Sequence, residues 1–454
     1  MKTGLVTIRS SGRRPEITGR NVMKPRVVRR RLFGIILLLH SAGFQDTGSA
    51  GTVYSSDAGG AWRDRRVKTV REPPRPDALN EFGGAARHKV ADPGFFRVVE
   101  RLGRWWLIDP EGCLFLSVGV NSVAPGRVGR GDVDAWTEEA HNLLKGAGFN
   151  TLGRWSDQKA FQDAGRSMPW CATHSFMKSY AKRRPAVHGK AGFPMDTIPV
   201  FDEAWPAFCE EHAERYAGAL KDDVWLLGHF SDNELPFRPE ALKNYLALPE
   251  SDSGHMAAVR WMKENRIRAR EVDDPEVQAE FLRVVAGRYY DVVSAALKKA
   301  DPNHLYIGSR LHGLCISQPV IEAAGACDVV SINYYHRWEV ERDRARNWTR
   351  WSRKPFLVGE FYAMNVPEDK AVPKSSGAGF HVLTYEDAGD FYQHYASSLL
   401  QDVPNCVGWH WFKYADDNPI SRKGIVGQQG EVRMPLVERM KTLNEQAYSL
   451  RGLR

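Results

Sequence analysis

The chain has 454 residues, with 63 Lys plus Arg, 55 Asp plus Glu and six Cys. That length admits two or three domains, or one α/β barrel with long loops. An apolar content of 43% excludes a disordered or fibrous chain. The formal charge of +8 sits at the start: residues 1–31 hold ten Lys/Arg against Glu16, and the remaining 53 basic and 54 acidic residues nearly cancel. No basic groove for nucleic acid is implied.

Arg29-Arg30-Arg31 and the uncharged run Leu32–Leu39 (LFGIILLL) form a basic segment and a short apolar core. With Gly48-Ser49-Ala50 as a cleavage site, residues 1–50 read as a secretory signal. Met23 is an alternative start, Arg30-Arg31-Leu32-Phe33 resembles a twin-arginine signal, and a disordered basic tail is the competing reading. The apolar core is too short to span a bilayer, so the expectation is a secreted or periplasmic protein without stable membrane insertion.

Residues 51–94 are rich in Gly, Pro, Arg and Asp and are expected to be linker-like. Phe95–Leu116 then has apolar segments broken at Leu102-Gly103 and Asp109-Pro110-Glu111-Gly112, the pattern of a hairpin running into a third strand. Cysteines 113, 171, 209, 315, 327 and 406 are scattered, with no Cys-x-x-Cys, and read as buried thiols.

Short apolar runs follow at Leu114–Val120, Phe149–Arg154, Trp170–His174, Val224–Phe230, Leu305–Ser309, Val329–Tyr334, Phe356–Glu360 and Val407–Phe412. Runs with little polar alternation suit strands buried on both faces, as in parallel sheets. Helical patterns lie between them. Asp274-Pro275 supplies an N-cap and a first-turn proline to a helix ended by Asp301-Pro302-Asn303. Thr384-x-x-Asp387 is a capping box ahead of Phe391, Tyr392, Tyr395 and Leu399. Eight strand candidates alternating with helices predict a (β/α)8 barrel over 95–454, with the hairpin as its lead-in. A doubly wound open sheet is the alternative, but it lacks a Gly-rich phosphate loop.

Reactive side chains of such a barrel sit at the C-terminal ends of its strands. The fourth run ends in Ser231-Asp232-Asn233-Glu234 and the seventh in Val358-Gly359-Glu360-Phe361-Tyr362. A strand-end Glu is most often a solvated or salt-bridged carboxylate, but the pair on strands four and seven is far more specific. Two carboxyls facing across a pocket cleave a glycosidic bond in two steps, one protonating the departing oxygen while the other attacks the anomeric carbon. Asn233 can bond the hydroxyl next to the reacting carbon, and Tyr334 can orient the nucleophile.

Asn-Glu on strand four with Glu on strand seven resembles the signature of the clan A glycoside hydrolases. Arg154 after strand two, His174 after strand three and an aromatic on strand eight suit the same clan. More narrowly, Trp106–Val120 (WLIDPEGCLFLSVGV), Leu227–Leu235 (LGHFSDNEL), Gly377–Leu400, Cys406–Asn418 (CVGWHWFKYADDN) and Lys423-Gly424-Ile425-Val426 resemble the β-agarases of glycoside hydrolase family 50. The resemblance covers nearly all of residues 95–445. It implies that Glu234 is the general acid/base and Glu360 the nucleophile. It further implies that Asn233, Arg154, His174, Tyr334 and Trp411 contact sugar or tune the pocket. Asn121 and His312 join the expected substrate-binding set, and Asn333, His410 and Asn418 are weaker candidates.

Trp155, Trp170, Tyr335, Trp338, Tyr362, Trp409 and Trp411 lie near strand ends, where aromatic faces suit a carbohydrate cleft. Roughly half of them would be core residues. Trp409 and Trp411 share a face, so an inward Trp411 would leave His410 between barrel and helices. No His-Glu-x-x-His, Gly-x-Ser-x-Gly or metal-spaced His cluster is present, and Asp416-Asp417-Asn418 alone makes a poor calcium loop. No metal or cofactor is expected. The function expected is a retaining glycosidase acting on an agar-type galactan. The alternatives are a β-galactosidase, a hydrolase of another algal galactan such as porphyran, and a carbohydrate-binding barrel that does not cleave.

Overall fold

The computed structural model describes residues 48–453 except 58–59, 74, 127–130, 185–191 and 367–376; the basic leader lies outside the described residues. Strands β1 (Gly48–Ser56), β2 (Arg63–Val70), β3 (Ala85–Lys89), β4 (Arg97–Arg101), β5 (Arg104–Ile108) and β6 (Cys113–Phe115) come first. The next set is β7 (Ser117–Val120), β8 (Thr151–Leu152), β9 (Trp170–Thr173), β10 (Leu226–Phe230), β11 (Leu305–Tyr306), β12 (Leu311–His312) and β13 (Val330–Asn333). The last are β14 (Phe356–Phe361), β15 (Ala363–Asn365), β16 (Phe380–Val382) and β17 (Cys406–Trp411).

Nine of these strands form one parallel sheet in the order β11-β10-β9-β8-β7-β17-β14-β13-β12. Helices intervene along the chain, among them Val133–Gly146, Trp205–Tyr216, Pro275–Ala300, Arg342–Ser352 and Tyr385–Asp402. The result is an α/β fold with a large parallel sheet of the TIM-barrel type. The sheet strands are buried along both faces, which explains why they read as unbroken apolar runs. Leu227, Phe230, Leu305, Ile307, Val329, Leu357 and Val407 form one core cluster. Burying each such side chain is worth about 1.5–3 kcal/mol.

Both helix starts seen in the sequence occur. Asp274 accepts from Glu276 N–H ahead of Pro275, and Thr384 with Asp387 closes a capping box. The hairpin also occurs: β4 and β5 pair antiparallel around Leu102-Gly103, and β6 pairs with β5. With β3 they make a second sheet, β3-β6-β5-β4. Its Leu107 and Phe115 join Phe82, Phe96 and the starts of β11, β14 and β17 in the same core cluster, so this sheet plugs the end of the parallel sheet opposite the strand C-termini.

The linker expectation for residues 51–94 needs correction, since this stretch contributes to β1, β2 and β3. β1 pairs with β2 from Gly48↔Val70 to Ser55↔Arg63, and at its far end with β16 through Ser55↔Val382. The polar residues here face water on one side of an antiparallel ribbon, while Val53, Val67 and Val70 are buried. Gly48-Ser49-Ala50, read above as a cleavage site, are the first three residues of β1.

Candidate functional site

The C-terminal ends of β10, β13 and β14 bring the two carboxylates together. Glu360 is 5% exposed. The Arg310 guanidinium donates through Nη2 to its Oε1, and Tyr335 Oη donates to its Oε2 at 2.6 Å. Arg310 Nε donates to Asn233 Oδ1 at 2.9 Å, tying the Asn-Glu loop to the same guanidinium. Asn333 Nδ2 donates to Glu234 Oε1 at 2.7 Å. Asn333 is itself the register partner of Glu360, so one side chain spans from the strand beside one carboxylate to the other.

Local backbone irregularity produces this arrangement. Between β13 and β14 the register passes from Ile332↔Val358 to Asn333↔Glu360, so Gly359 is the extra residue of a bulge. A bulge re-aims the side chain that follows it. A Cβ on Gly359 would lie 2.7 Å from Asn333 Oδ1, so only glycine fits there. Glu234, Arg310 and Trp155 hold left-handed φ values of +54°, +56° and +61°. Such conformations cost of the order of 1–3 kcal/mol each in a non-glycine residue and persist where the surroundings over-determine them. The Glu234 N–H donates to both Ser309 O and Arg310 O at 3.2 Å, which is part of that constraint.

The two carboxylates differ in setting. The Glu234 side chain is 35% exposed, with His312 Nδ1 3.9 Å from Oε1, whereas both oxygens of Glu360 are engaged, by buried Arg310 and half-buried Tyr335. Beside Asn233 and Glu234, Arg154 is buried, and Nη1 donates to Asp232 O at 2.8 Å. Burial lowers the Arg154 guanidinium to about 9, with the positive Arg310 acting the same way.

Asp232 is buried and accepts from Met177 N–H (2.9 Å), Lys178 N–H (3.3 Å) and Tyr289 Oη (2.8 Å). Burial raises its carboxyl to about 6, against the pull of those donors. The folded protein thus keeps a proton that the unfolded chain has already released. Its contribution to stability is complete below about pH 4 and is lost as pH rises toward 6. Relative to Asp232→Asn, the unaltered protein should therefore lose about 2–3 kcal/mol between pH 4 and pH 7. Urea unfolding of both proteins across that range checks this, and a difference that stays flat or grows the other way would contradict it.

Of the residues expected from sequence, Asn233, Glu234, Arg154, His312 and Glu360 come together. Asn121 joins them as a brace: Nδ2 donates to Gly359 O (2.9 Å) and Trp411 O (3.2 Å), and Oδ1 accepts from Arg154 N–H (2.9 Å). Its polar atoms are thus spent on strand ends rather than offered to a sugar.

Three expectations are corrected. Tyr334 points outward, donating to Glu341 Oε2 and packing edge-on against Trp348 at 5.0 Å; Tyr335, one residue on, reaches Glu360. Trp411 also faces outward, against Phe361 and Tyr392 of the 385–402 helix, with Trp409 Nε1 donating to Tyr392 Oη at 2.9 Å. His410 is therefore the inward residue, bonded through Nε2 to Ser117 Oγ at 2.8 Å, and burial lowers its imidazole to about 3. Gly119 makes the room: a Cβ there would meet His410 Cδ2 at 2.5 Å.

His174 lies in a different network. Its Nε2 meets His229 Nδ1, His229 Nε2 meets Asp301 Oδ2, and Asp301 Oδ2 meets His304 Nδ1, each at 2.8 Å. His229, Asp301 and His304 place ligand atoms within 4.8 Å of one another, a cluster with no counterpart in sequence spacing. Each of these atoms is already hydrogen-bonded within the protein. Asp416 and Asp417 are likewise engaged, by Lys423 and Gly424 N–H and by Lys413.

Arg310 was absent from the expected site, Tyr335 was expected only as a cleft aromatic and not as a partner of Glu360, and Asn333 was a weaker candidate. Asn333 carried a signal, because an inward Asn333 makes Tyr335 inward by alternation. Trp155 is 47% exposed, with the Arg154 and Arg310 guanidinium carbons 4.6 and 5.5 Å from its ring centroid and the Phe412 ring at 6.0 Å. Tyr362 contacts both Phe412 (6.2 Å) and Tyr335 (5.4 Å), completing an aromatic rim. Cavities of about 790 and 830 Å³ lie on the outer helices, around Tyr180 and Met256 and around Phe201 and Val292, and one of about 460 Å³ is lined by Trp136, Lys413, Tyr414 and Asp417.

No family model matches the chain. Beta-agarase B of Vibrio sp. (strain JT0107) is 22% identical over 82% of the chain and 50% of its own length. Beta-agarase A of the same strain is 26% identical over 66% of the chain and 34% of its own length. The chain thus spans half or less of these curated relatives. The crystal structure of BpGH50 superposes with a TM-score of 0.80 and 28% identity, over 88% of this chain and 95% of that one. The agarase AgWH50C, at 21% identity, shares the fold with a TM-score of 0.69, over 84% of this chain and 67% of that one. In sequence and in fold, the chain resembles the β-agarases of glycoside hydrolase family 50.

Proposed function

We propose that the protein is a retaining glycoside hydrolase that cleaves β-galactosidic linkages of an agar-type galactan, with Glu360 as nucleophile and Glu234 as acid/base. The observation that carries this reading is the pair of strand-end carboxylates joined through Asn333 and Arg310 in unlike surroundings. Glu360, held on both oxygens, is oriented for in-line attack on the anomeric carbon. Glu234, half-open to the cleft, delivers a proton to the departing oxygen and then takes one from water. Asn233, fixed by Arg310, presents its amide N–H to the hydroxyl beside the reacting carbon. β11 and β12 flank Ile307–Arg310 along the chain and lie at the two ends of the sheet order. Taken as one interrupted strand they close it into a (β/α)8 barrel, which puts both carboxylates at one mouth. The agarase names of the curated relatives support the substrate class.

Product analysis on agarose, porphyran, carrageenan and simple β-galactosides tests the reading. Agarose oligomers should be cleaved with retained anomeric configuration in NMR. Inverted product, or no cleavage of any galactan, would overturn it.

Tyr335→Phe deletes a hydrogen bond to a carboxylate and should lower kcat/KM roughly 10- to 100-fold. Tyr334→Phe, which touches Glu341 on the outer face, should stay within about threefold of the unaltered enzyme. Equal losses in the two variants would mean that Glu360 is not oriented as described.

A further inference from the structure

On the aromatic rim sits an ammonium group that forms no ion pair with the described residues. Lys423 Nζ lies 4.4 Å from the Tyr362 ring centroid and 5.0 Å from that of Phe412. The Lys423 backbone is fixed on both sides: its N–H donates to Asp416 Oδ1 at 3.0 Å and its carbonyl accepts from Trp411 Nε1 at 2.9 Å. Among the described residues no carboxylate reaches ion-pair distance of Nζ. Asp417 holds Lys413, and Asp416 faces the Lys423 and Gly424 N–H groups and Arg433. Lys423 is half-buried, and burial together with Lys413 lowers its ammonium against the more distant pull of Asp417, Glu360 and Asp416.

Its surroundings connect this cation to the candidate site. Tyr362 packs on Tyr335, whose hydroxyl holds Glu360, and Phe412 meets the exposed Trp155. Lys423 therefore stands two rings from the nucleophile, beside the face on which a sugar would stack. Ring faces attract a cation but replace only part of the water it loses. A lysine kept for packing alone would carry its head out to solvent. A desolvated ammonium beside a carbohydrate platform is complementary to an anion delivered by the carbohydrate.

We propose that Lys423 binds an anionic substituent, a sulfate ester or a ketal carboxylate, on the galactan unit seated against Trp155, and so selects charged over neutral galactan. This rests on the galactan-hydrolase reading above and names its substrate class. The substituent's oxygens accept from Nζ, and the Tyr362 and Phe412 faces hold the ammonium in place before substrate arrives.

The test compares oligomers of equal length that are neutral, sulfated on galactose or pyruvylated. Turnover is measured for the unaltered enzyme, Lys423→Gln and Lys423→Arg. Calorimetric binding is measured in a Glu360→Gln background with and without Lys423→Gln. The unaltered enzyme should favour one charged oligomer over the neutral one by about tenfold or more in kcat/KM, as expected for a charge-assisted hydrogen bond. Raising salt should shrink that preference. Lys423→Gln should bring the charged-to-neutral ratio toward one, and Lys423→Arg should restore most of it. The sulfated and pyruvylated arms tell which anion is read. Equal rates on charged and neutral oligomers, or a ratio that Lys423→Gln leaves intact, would overturn the proposal. A Lys423-dependent preference in binding without turnover of any oligomer would uphold the anion site and defeat the hydrolase reading.

Discussion

With the roles proposed above, Glu360→Gln is expected to abolish cleavage of both natural galactan and an activated dinitrophenyl galactoside, while Glu234→Gln should keep first-step activity on the second. Without the nucleophile no covalent intermediate forms, whatever the leaving group. Without the acid, a departing dinitrophenolate still leaves, because it needs no proton. Losing general acid–base assistance should cost roughly 10²–10⁴-fold on natural substrate. Azide should then rescue Glu234→Gln in part, since it attacks the intermediate without a general base and yields a glycosyl azide of retained configuration. The surroundings are consistent with this asymmetry: Arg310 and Tyr335 engage both oxygens of Glu360, whereas the Glu234 side chain is 35% exposed. Rescue of Glu360→Gln but not Glu234→Gln would reverse the assignment.

The second large effect is expected at Arg310, which is fully buried and joins Glu360 to Asn233. Arg310→Ala strands a buried carboxylate without its charge partner, and breaking such a pair costs about 3–5 kcal/mol. Folding stability should fall by that amount in denaturant unfolding, and activity should fall with it because both Glu360 and Asn233 lose their support. Arg310→Lys should recover little of the activity. An ammonium is a single point charge and does not reach both acceptors as the planar fork does. Unchanged stability together with unchanged activity in Arg310→Ala would show that the guanidinium does not hold the site.

The parts of this protein legible in its sequence are those set by local pattern. Unbroken apolar runs marked the parallel strands because both of their faces are buried, and the Asp274-Pro275 and Thr384-x-x-Asp387 caps marked helix starts because capping is settled within one turn. Glu234 and Glu360 stood out as charged residues at the ends of such runs. Tertiary structure decided which neighbour faces inward. A period of two fixes that Tyr334 opposes Tyr335 and that Trp411 opposes His410, but not which of each pair enters the site. The bulge at Gly359 resets that sign locally for Glu360. The 51–94 stretch looked like linker because its strands are polar on one side, and the end of β1 pairs, through Ser55 and Ser56, with β16, more than three hundred residues away in the chain. Arg310 left no trace in any periodicity. It enters the site through a left-handed turn between β11 and β12, a conformation set by the strands on either side and not by the residue itself.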